Sequence, residues 1–269
     1  MQKIGIIGTG NMGSALIRGL TASGKAPGDS ITAFDVDEEK VRRLHDELGI
    51  VPARGIRDAA APDVETLVLS VKPQIMDRVL GELAGHMSHG PLVMSIAAGI
   101  TTDRIVAKLG PRARVIRAMP NAAAMVGQSA TALCTGGAAD ESDLLTAMDL
   151  FSAFGAVASV DEKMMNAVTA LSGSGPAYFF VMLEGLVDGA VLMGMDRPTA
   201  RVLAVHTMLG AALMAGQKAA FSDLKDQITS PGGTTIAGLE VMERAGLRGV
   251  LMETIRAATT RGDELAGPK

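Results

Sequence analysis

Through its first 160 residues the chain alternates short β-branched or apolar runs with stretches of helical period, a pattern that predicts a parallel sheet wound with crossover helices. Strands are expected at 3–7, 30–35, 66–70, 92–95, 115–119 and 156–160, with helices at 12–22, 38–48, 75–83, 102–109 and 141–154. Beyond Val160 the strand signals stop. Asp161-Glu162 reads as a helix start, and Met164, Met165, Val168 and Leu171 recur at helical spacing. Further helices are expected at 176–193, 198–217, 222–229, 235–245 and 248–265, with Gly246 and Gly267 as stops. A chain of 269 residues exceeds the usual single core. The expectation is an α/β doubly wound parallel sheet over residues 1–160 and an all-α domain over 161–269.

The helical half changes the picture through its composition. Residues 203–216 carry no Asp, Glu, Lys or Arg, and a domain of roughly 110 residues covers only part of such surface by itself. A homo-oligomer with intertwined helices is expected, the alternative being a self-contained bundle. The formal net charge of -4, a single Tyr and no Trp provide neither a basic surface nor stacking platforms, which disfavours nucleic acid. Cys134 is the only cysteine, so one chain builds neither a disulfide nor a thiolate metal site, in keeping with a reducing cytoplasm. The apolar stretch 177–195 is interrupted by Glu184 and Asp188, and reads as a buried helix rather than a membrane span. A strand beginning at Lys3 leaves too few residues for a secretory signal.

Gly8-Thr9-Gly10-Asn11-Met12-Gly13 follows the first expected strand and opens the first helix, the context a dinucleotide fingerprint requires. Gly8 permits a tight turn, Gly10 lets the backbone approach a pyrophosphate, and Gly13 lets helix and strand pack closely. Amides at the helix start then favour the anion. Asp35 ends the second strand, 22 residues beyond Gly13, where a carboxylate can bind both ribose hydroxyls. A 2'-phosphate there would face that carboxylate, and two unit charges about 4 Å apart repel by roughly 4 kcal/mol at an effective dielectric near 20. No arginine follows directly, since the next residue is Val36 and Lys40, Arg42 and Arg43 lie on the following helix. NADH is the expected cofactor, with NADPH as the alternative.

Other segments end strands on the edge where ligands bind in this architecture. Ser70-Val71-Lys72-Pro73 ends the third, and Lys72 either faces the cofactor or is a surface loop lysine. Ser95-Ile96-Ala97-Ala98-Gly99 ends the fourth with small residues that leave room for a ring at Ala97, and Met119-Pro120-Asn121 ends the fifth. In the helical half, Ser172-Gly173-Ser174-Gly175-Pro176 and Ser230-Pro231-Gly232-Gly233-Thr234-Thr235 each start a helix. The second joins an anion-binding nest to three hydroxyls, a receptor for a small carboxylate. A plain capped turn is the alternative for both. Of the four histidines, His86 and His89 read as surface, and no acidic or cysteine partner completes a metal site.

Together these motifs closely resemble the pyrroline-5-carboxylate reductase family along essentially the whole chain. The resemblance rests on the 8–13 loop, Val71-Lys72-Pro73, Ser95 to Ile100, Arg117-Ala118-Met119-Pro120-Asn121, Ser172 to Tyr178, and Ser230 to Ile236. It implies a Rossmann-type domain, a helical dimerisation domain, and reduction of 1-pyrroline-5-carboxylate to L-proline in a homodimer or a larger assembly of dimers. It also implies that Ser230, Gly232, Gly233 and Thr234 bind the substrate carboxylate while the Thr235 hydroxyl faces the ring nitrogen as the catalytic group. Two features depart from the family pattern: Ala122-Ala123 replaces the usual Thr-Pro, and many members lack an acid at the position of Asp35 and use NADPH. A hydroxyacid dehydrogenase of the 6-phosphogluconate type would need a catalytic lysine near Ser172 to Tyr178, where there is none. A catalytically silent dinucleotide-binding regulator is the reading from another class.

Overall fold

The structure is a computed structural model that describes residues 2–217 and 219–266; Gly267, expected to stop the last helix, lies outside them. Contacts divide the chain into two compact units, one holding the chain through Ser174 together with the segment from Ala258, the other Gly175–Ala257.

The first unit is built on one sheet: β1 (Ile4–Ile7), β2 (Ile31–Phe34), β3 (Val51–Pro52), β4 (Thr66–Leu69), β5 (Leu92–Ser95), β6 (Arg114–Met119), β7 (Ser129–Gly137) and β8 (Gly155–Ser159). Their spatial order is β3-β2-β1-β4-β5-β6-β7-β8. Every neighbouring pair is parallel except β6 and β7. The expected doubly wound sheet is therefore present and carries two strands that the sequence pattern missed, β3 and the nine-residue β7.

Helices cover both faces, which is why β1, β4 and β5 are buried at every position. On one face α1 (Asn11–Ala22), α2 (Glu38–Leu48) and, later in the chain, the helix at Glu141–Phe151 meet Ile4, Ile6, Ile31, Met94 and Ile116. On the other, α3 (Ile56–Ala59), α4 (Met76–Leu83) and α5 (Thr102–Leu109) meet Ile7, Leu67, Leu69, Val93 and Val115. Helix α6 (Glu141–Phe151) starts with a capping box in which the Asp140 side chain accepts from Asp143 N while Asp143 accepts from Asp140 N. A short α7 (Met165–Val168) and a single π-helical turn, Thr169–Gly173, lead out of this unit. Cys134 is buried on β7, and desolvation, with Glu162 nearby, pushes its thiol up to about 12, so it is inert.

The second unit begins with α8 (Gly175–Leu192) and α9 (Arg197–Ala215), continues through α10 (Phe221–Gln227) and α11 (Thr234–Arg244), and takes in most of α12 (Leu247–Ala266). The expected helices are all there within one or two residues of their predicted ends. The burial is not what the sequence led us to expect. The apolar stretch 177–195 has the composition of a buried helix, yet a single chain leaves Phe179, Phe180, Val181, Leu186, Leu192 and Met193 exposed. The helical run Glu162–Leu192 is long and apolar enough to cross a membrane by length and composition alone. Apolar faces on α9, with Leu209 and Leu213 exposed, extend the same bare surface.

Candidate functional site

At the carboxyl edge of the sheet the 8–13 loop is held by its own backbone. Gly8 N donates to Phe34 O, and Ser70 N donates to Ile7 O, so the ends of β1, β2 and β4 are tied side by side. Gly8 has φ +99, and a Cβ on it would fall 2.4 Å from Ser70 O. Only glycine serves there. A Cβ on Gly13 would fall 2.1 Å from Gly8 O and 3.0 Å from Ser70 Oγ, which is the close helix–strand approach the fingerprint implies. Gly10 is different: a Cβ there would meet nothing within 4 Å. The protein's own packing does not require glycine at that position, so the open space is free for an approaching group. Gly10 is the N-cap of α1 without a side-chain bond, no acid lies in the first turn, and Ser14 N is the amide that returns to Gly10 O. The amides of Asn11, Met12 and Gly13 therefore form a cradle suited to a pyrophosphate, while the Met12 side chain packs on the core.

Asp35 stands just past β2 and faces this loop. Its Oδ2 accepts from Thr9 N at 2.6 Å and Thr9 Oγ1 at 3.2 Å, and its Oδ1 accepts from Asp37 N at 3.0 Å. Thr9 is 1% exposed, so the loop and the carboxylate form one fixed assembly. Two nearby cations are paired, Lys40 with Asp37 at 3.2 Å and Arg42 with Glu39 at 3.5 Å, while Arg43 lines the cleft beside the loop and Arg54 the cleft beside Asp35.

The remaining expected residues on this edge fall into two groups. Ser70, half-buried, lies beside Gly13, and Val71 packs against the core; Lys72 is exposed, and Pro73 opens a short 3-10 turn. Ala97 and Asn121 lie at the expected strand ends, but their side chains are occupied. The Ala97 methyl is 4% exposed and sits in the core, leaving Ala98 and Gly99 as the open part of the loop. Asn121 Nδ2 donates to Ser172 O at 3.0 Å, and Asn121 Oδ1 accepts from Ala123 N at 3.2 Å and Ala130 N at 3.4 Å. The side chain thus fastens the loop after β6 to the π turn.

In the second unit, Ser230 to Thr235 form a tight turn into α11. Gly233 N donates to Ser230 O at 3.0 Å, Gly232 has φ +69, and a Cβ on Gly233 would collide with Ser230 Oγ at 2.3 Å. The helix has no side-chain cap and no acid in its first turn. Its amides, with the hydroxyls of Ser230, Thr234 and Thr235, make a second anion-receptive end. Among the described residues the Thr235 hydroxyl has no hydrogen-bond partner, and no group of three His, Cys, Asp or Glu side chains is placed to hold a metal. Of the histidines read as surface, His86 is exposed but both ring nitrogens of His89 are screened from solvent.

One constellation escaped the sequence reading. Arg117, 4% exposed on β6, pairs with Glu162 at 3.2 Å, and Glu162 also accepts from both the amide and the hydroxyl of Thr102. Arg117 stood within a recognised motif, but nothing local marked Glu162 as its partner.

Residues 162–265 match the family described as pyrroline-5-carboxylate reductase dimerisation, and residues 3–99 match NADP oxidoreductase, coenzyme F420-dependent. A pyrroline-5-carboxylate reductase of Methanosarcina acetivorans is 43% identical over 267 residues, spanning 98% of both chains. A solved structure of a pyrroline-5-carboxylate reductase from Coxiella burnetii has a TM-score of 0.95 at 34% identity, covering 99% of each chain. That of Plasmodium falciparum pyrroline carboxylate reductase with NADP bound has a TM-score of 0.85 at 26% identity, covering 99% of this chain and 98% of that one.

Proposed function

The chain belongs to the pyrroline-5-carboxylate reductase family, and from that premise we propose how its residues divide the reduction of 1-pyrroline-5-carboxylate to L-proline. It is an NAD(P)H-dependent oxidoreductase acting on the C=N bond of a cyclic imine. The observation that carries the division of labour is the pair of uncapped, acid-free helix starts, at Gly10 in one unit and Gly233 in the other. Anions are favoured at both.

The cradle of Gly8, Thr9, Gly10, Asn11, Met12 and Gly13 holds the dinucleotide pyrophosphate, Asp35 takes the ribose hydroxyls, and Ser70 to Pro73, the Ala97 loop and the Asn121 loop border the nicotinamide half. When bound, the reduced nicotinamide supplies the hydride to the imine carbon. Ser230, Gly232, Gly233 and Thr234 hold the substrate carboxylate, and the Thr235 hydroxyl donates a hydrogen bond at the ring nitrogen. The imine is basic enough to arrive protonated, so the protein's task is orientation more than proton supply. Residues 1–160 thus serve the dinucleotide, and 161–269 serve dimerisation and substrate.

NADH is the preferred reductant on this reading, because the Asp35 carboxylate is fixed in place by Thr9 and Asp37 at the position where a 2'-phosphate would have to sit. The test is a spectrophotometric assay with pyrroline-5-carboxylate, run in parallel with NADH and NADPH. We expect a higher kcat/KM with NADH and a shift toward NADPH of about tenfold in Asp35→Ser, as removal of one like charge near the phosphate allows. A parent enzyme equally or more efficient with NADPH refutes the preference, and absence of imine-dependent oxidation with either refutes the activity.

The dimerisation segment makes the protein a homo-oligomer, built on dimers or assemblies of dimers that cover the bare faces of α8 and α9. Its sole, buried cysteine suits the reducing cytoplasm in which we place it. Static light scattering at micromolar concentration is expected to give an even multiple of the 27.7 kDa chain. A monomer mass would overturn the assembly.

A further inference from the structure

We infer that Glu162 is a positioning residue for the nicotinamide end of the site, acting by holding the Ile96–Thr101 loop at Thr102 and tying it to Arg117 on the strand beside the loop's start. The inference rests on the placement of that loop beside the nicotinamide half of the dinucleotide.

The loop leaves β5 at Ser95 and enters α5 at Thr102. Its interior is only partly anchored. Ile96 N donates to Leu69 O, and the side chains of Ala97 and Ile100 are buried, but Ala98 and Gly99 are exposed and Gly99 has φ +74. The position of the open part therefore depends on the two ends. At the start, Ser95 is the register partner of Arg117 on the neighbouring strand. At the end, the buried Thr102 presses on Gly136 so closely that a Cβ there would lie 2.2 Å from the Thr102 Cβ.

Glu162 arrives at this point from beyond β8 and joins the two. Its Oε1 accepts from Thr102 N at 2.8 Å and from Arg117 NH1 at 3.2 Å, while Oε2 accepts from Thr102 Oγ1 at 2.5 Å. One carboxylate thus takes up the first amide of α5, neutralises a buried guanidinium and ties the strand beside the loop's first residue to the helix that follows it. The bond to the Thr102 amide is also charge-assisted and sits at a helix start, where a carboxylate is favoured.

The contribution to the site is separable from the contribution to stability. Glu162→Gln keeps the size and one acceptor but leaves Arg117 buried without its counter-charge, so it loses stability for that reason alone. Arg117→Met with Glu162→Met removes both charges and still leaves Thr102 unheld. We expect the double variant to recover part of the melting temperature lost by Glu162→Gln, the remainder reflecting the buried Thr102 donors left without an acceptor. Its NADH dissociation constant, read by nicotinamide fluorescence without substrate, should stay raised about tenfold, and kcat should fall at least as far. Parent NADH affinity and kcat in the folded double variant overturn the positioning role. Ala98→Val separates the inference from its premise: if it alters NADH affinity while the double variant does not, only the role of Glu162 is lost. If Ala98→Val changes neither affinity nor kcat, the loop does not border the nucleotide and the inference falls with its premise.

Discussion

Gly13→Ala is expected to abolish measurable NADH binding and to lower the melting temperature. The added methyl would lie 2.1 Å from Gly8 O and 3.1 Å from Gly8 C, with Ser70 Oγ at 3.0 Å. Those first two atoms are backbone, and the backbone cannot step aside: Gly8 is itself held at φ +99 against Ser70 O and by the hydrogen bond its N–H donates to Phe34 O. Overpacking of this kind costs about 1–3 kcal/mol. In a domain of this size that corresponds to a fall of roughly 2–12 °C in Tm. Relief of the clash requires α1 to move away from β1, carrying with it the amides of Asn11, Met12 and Gly13 that make the cradle. Gly10→Ala is the matched control. Nothing lies within 4 Å of its added Cβ, so Tm should hold while NADH affinity falls if, as proposed, the pyrophosphate takes that open space. Thermal melts and NADH fluorescence titrations of the two variants decide the matter. Parent-like NADH affinity in Gly13→Ala would show that the cradle does not depend on this contact.

That contrast also explains why this end of the site was readable from sequence. A glycine imposes a local constraint, and three of them between a strand and a helix define the loop without reference to anything distant. Strand β7 was not readable for the opposite reason. Ser129–Gly137 mixes two Thr and a Leu with Ala, Ser and Gly and gives no clear alternation, and it becomes a strand because β6 and β8 pair with it from either side. The two-residue β3 is too short and too exposed to leave a periodic trace.

The same division runs through the site. Asn121 and Ala97 were located at the correct strand ends, yet the backbone of Ser172, Ala123 and Ala130 consumes one side chain and the core takes the other. Motif spacing places a residue on an edge, while its neighbours across the fold decide where the side chain goes. Glu162 is the extreme case, with partners 60 and 45 residues away at Thr102 and Arg117. The exposed helix α8 follows the same logic one level up. Its apolar composition fits burial, but the single chain leaves it bare, and on the proposed assembly its cover is another copy of the chain.

Thr235→Val is expected to lower kcat by roughly ten- to a hundredfold while leaving the NADH dissociation constant unchanged. A hydrogen bond to a charged group contributes about 1.5–3 kcal/mol, and each 1.4 kcal/mol is a factor of ten. The Thr235 hydroxyl is suited to that role because it is uncommitted: it sits in the first turn of α11, half-buried, with no partner among the described residues. Valine has the same shape, so packing and the tight turn from Ser230 to Gly233 are preserved and Tm should hold. Thr235→Ser restores the donor and should return most of kcat. On the proposed division of roles the substrate carboxylate is held by amides and by Ser230 and Thr234, so KM for pyrroline-5-carboxylate should move less than kcat. This split separates a group that acts on the reacting nitrogen from one that merely binds. Parent kcat in Thr235→Val would remove the hydroxyl from the chemistry and leave the α11 start as a carboxylate receptor alone.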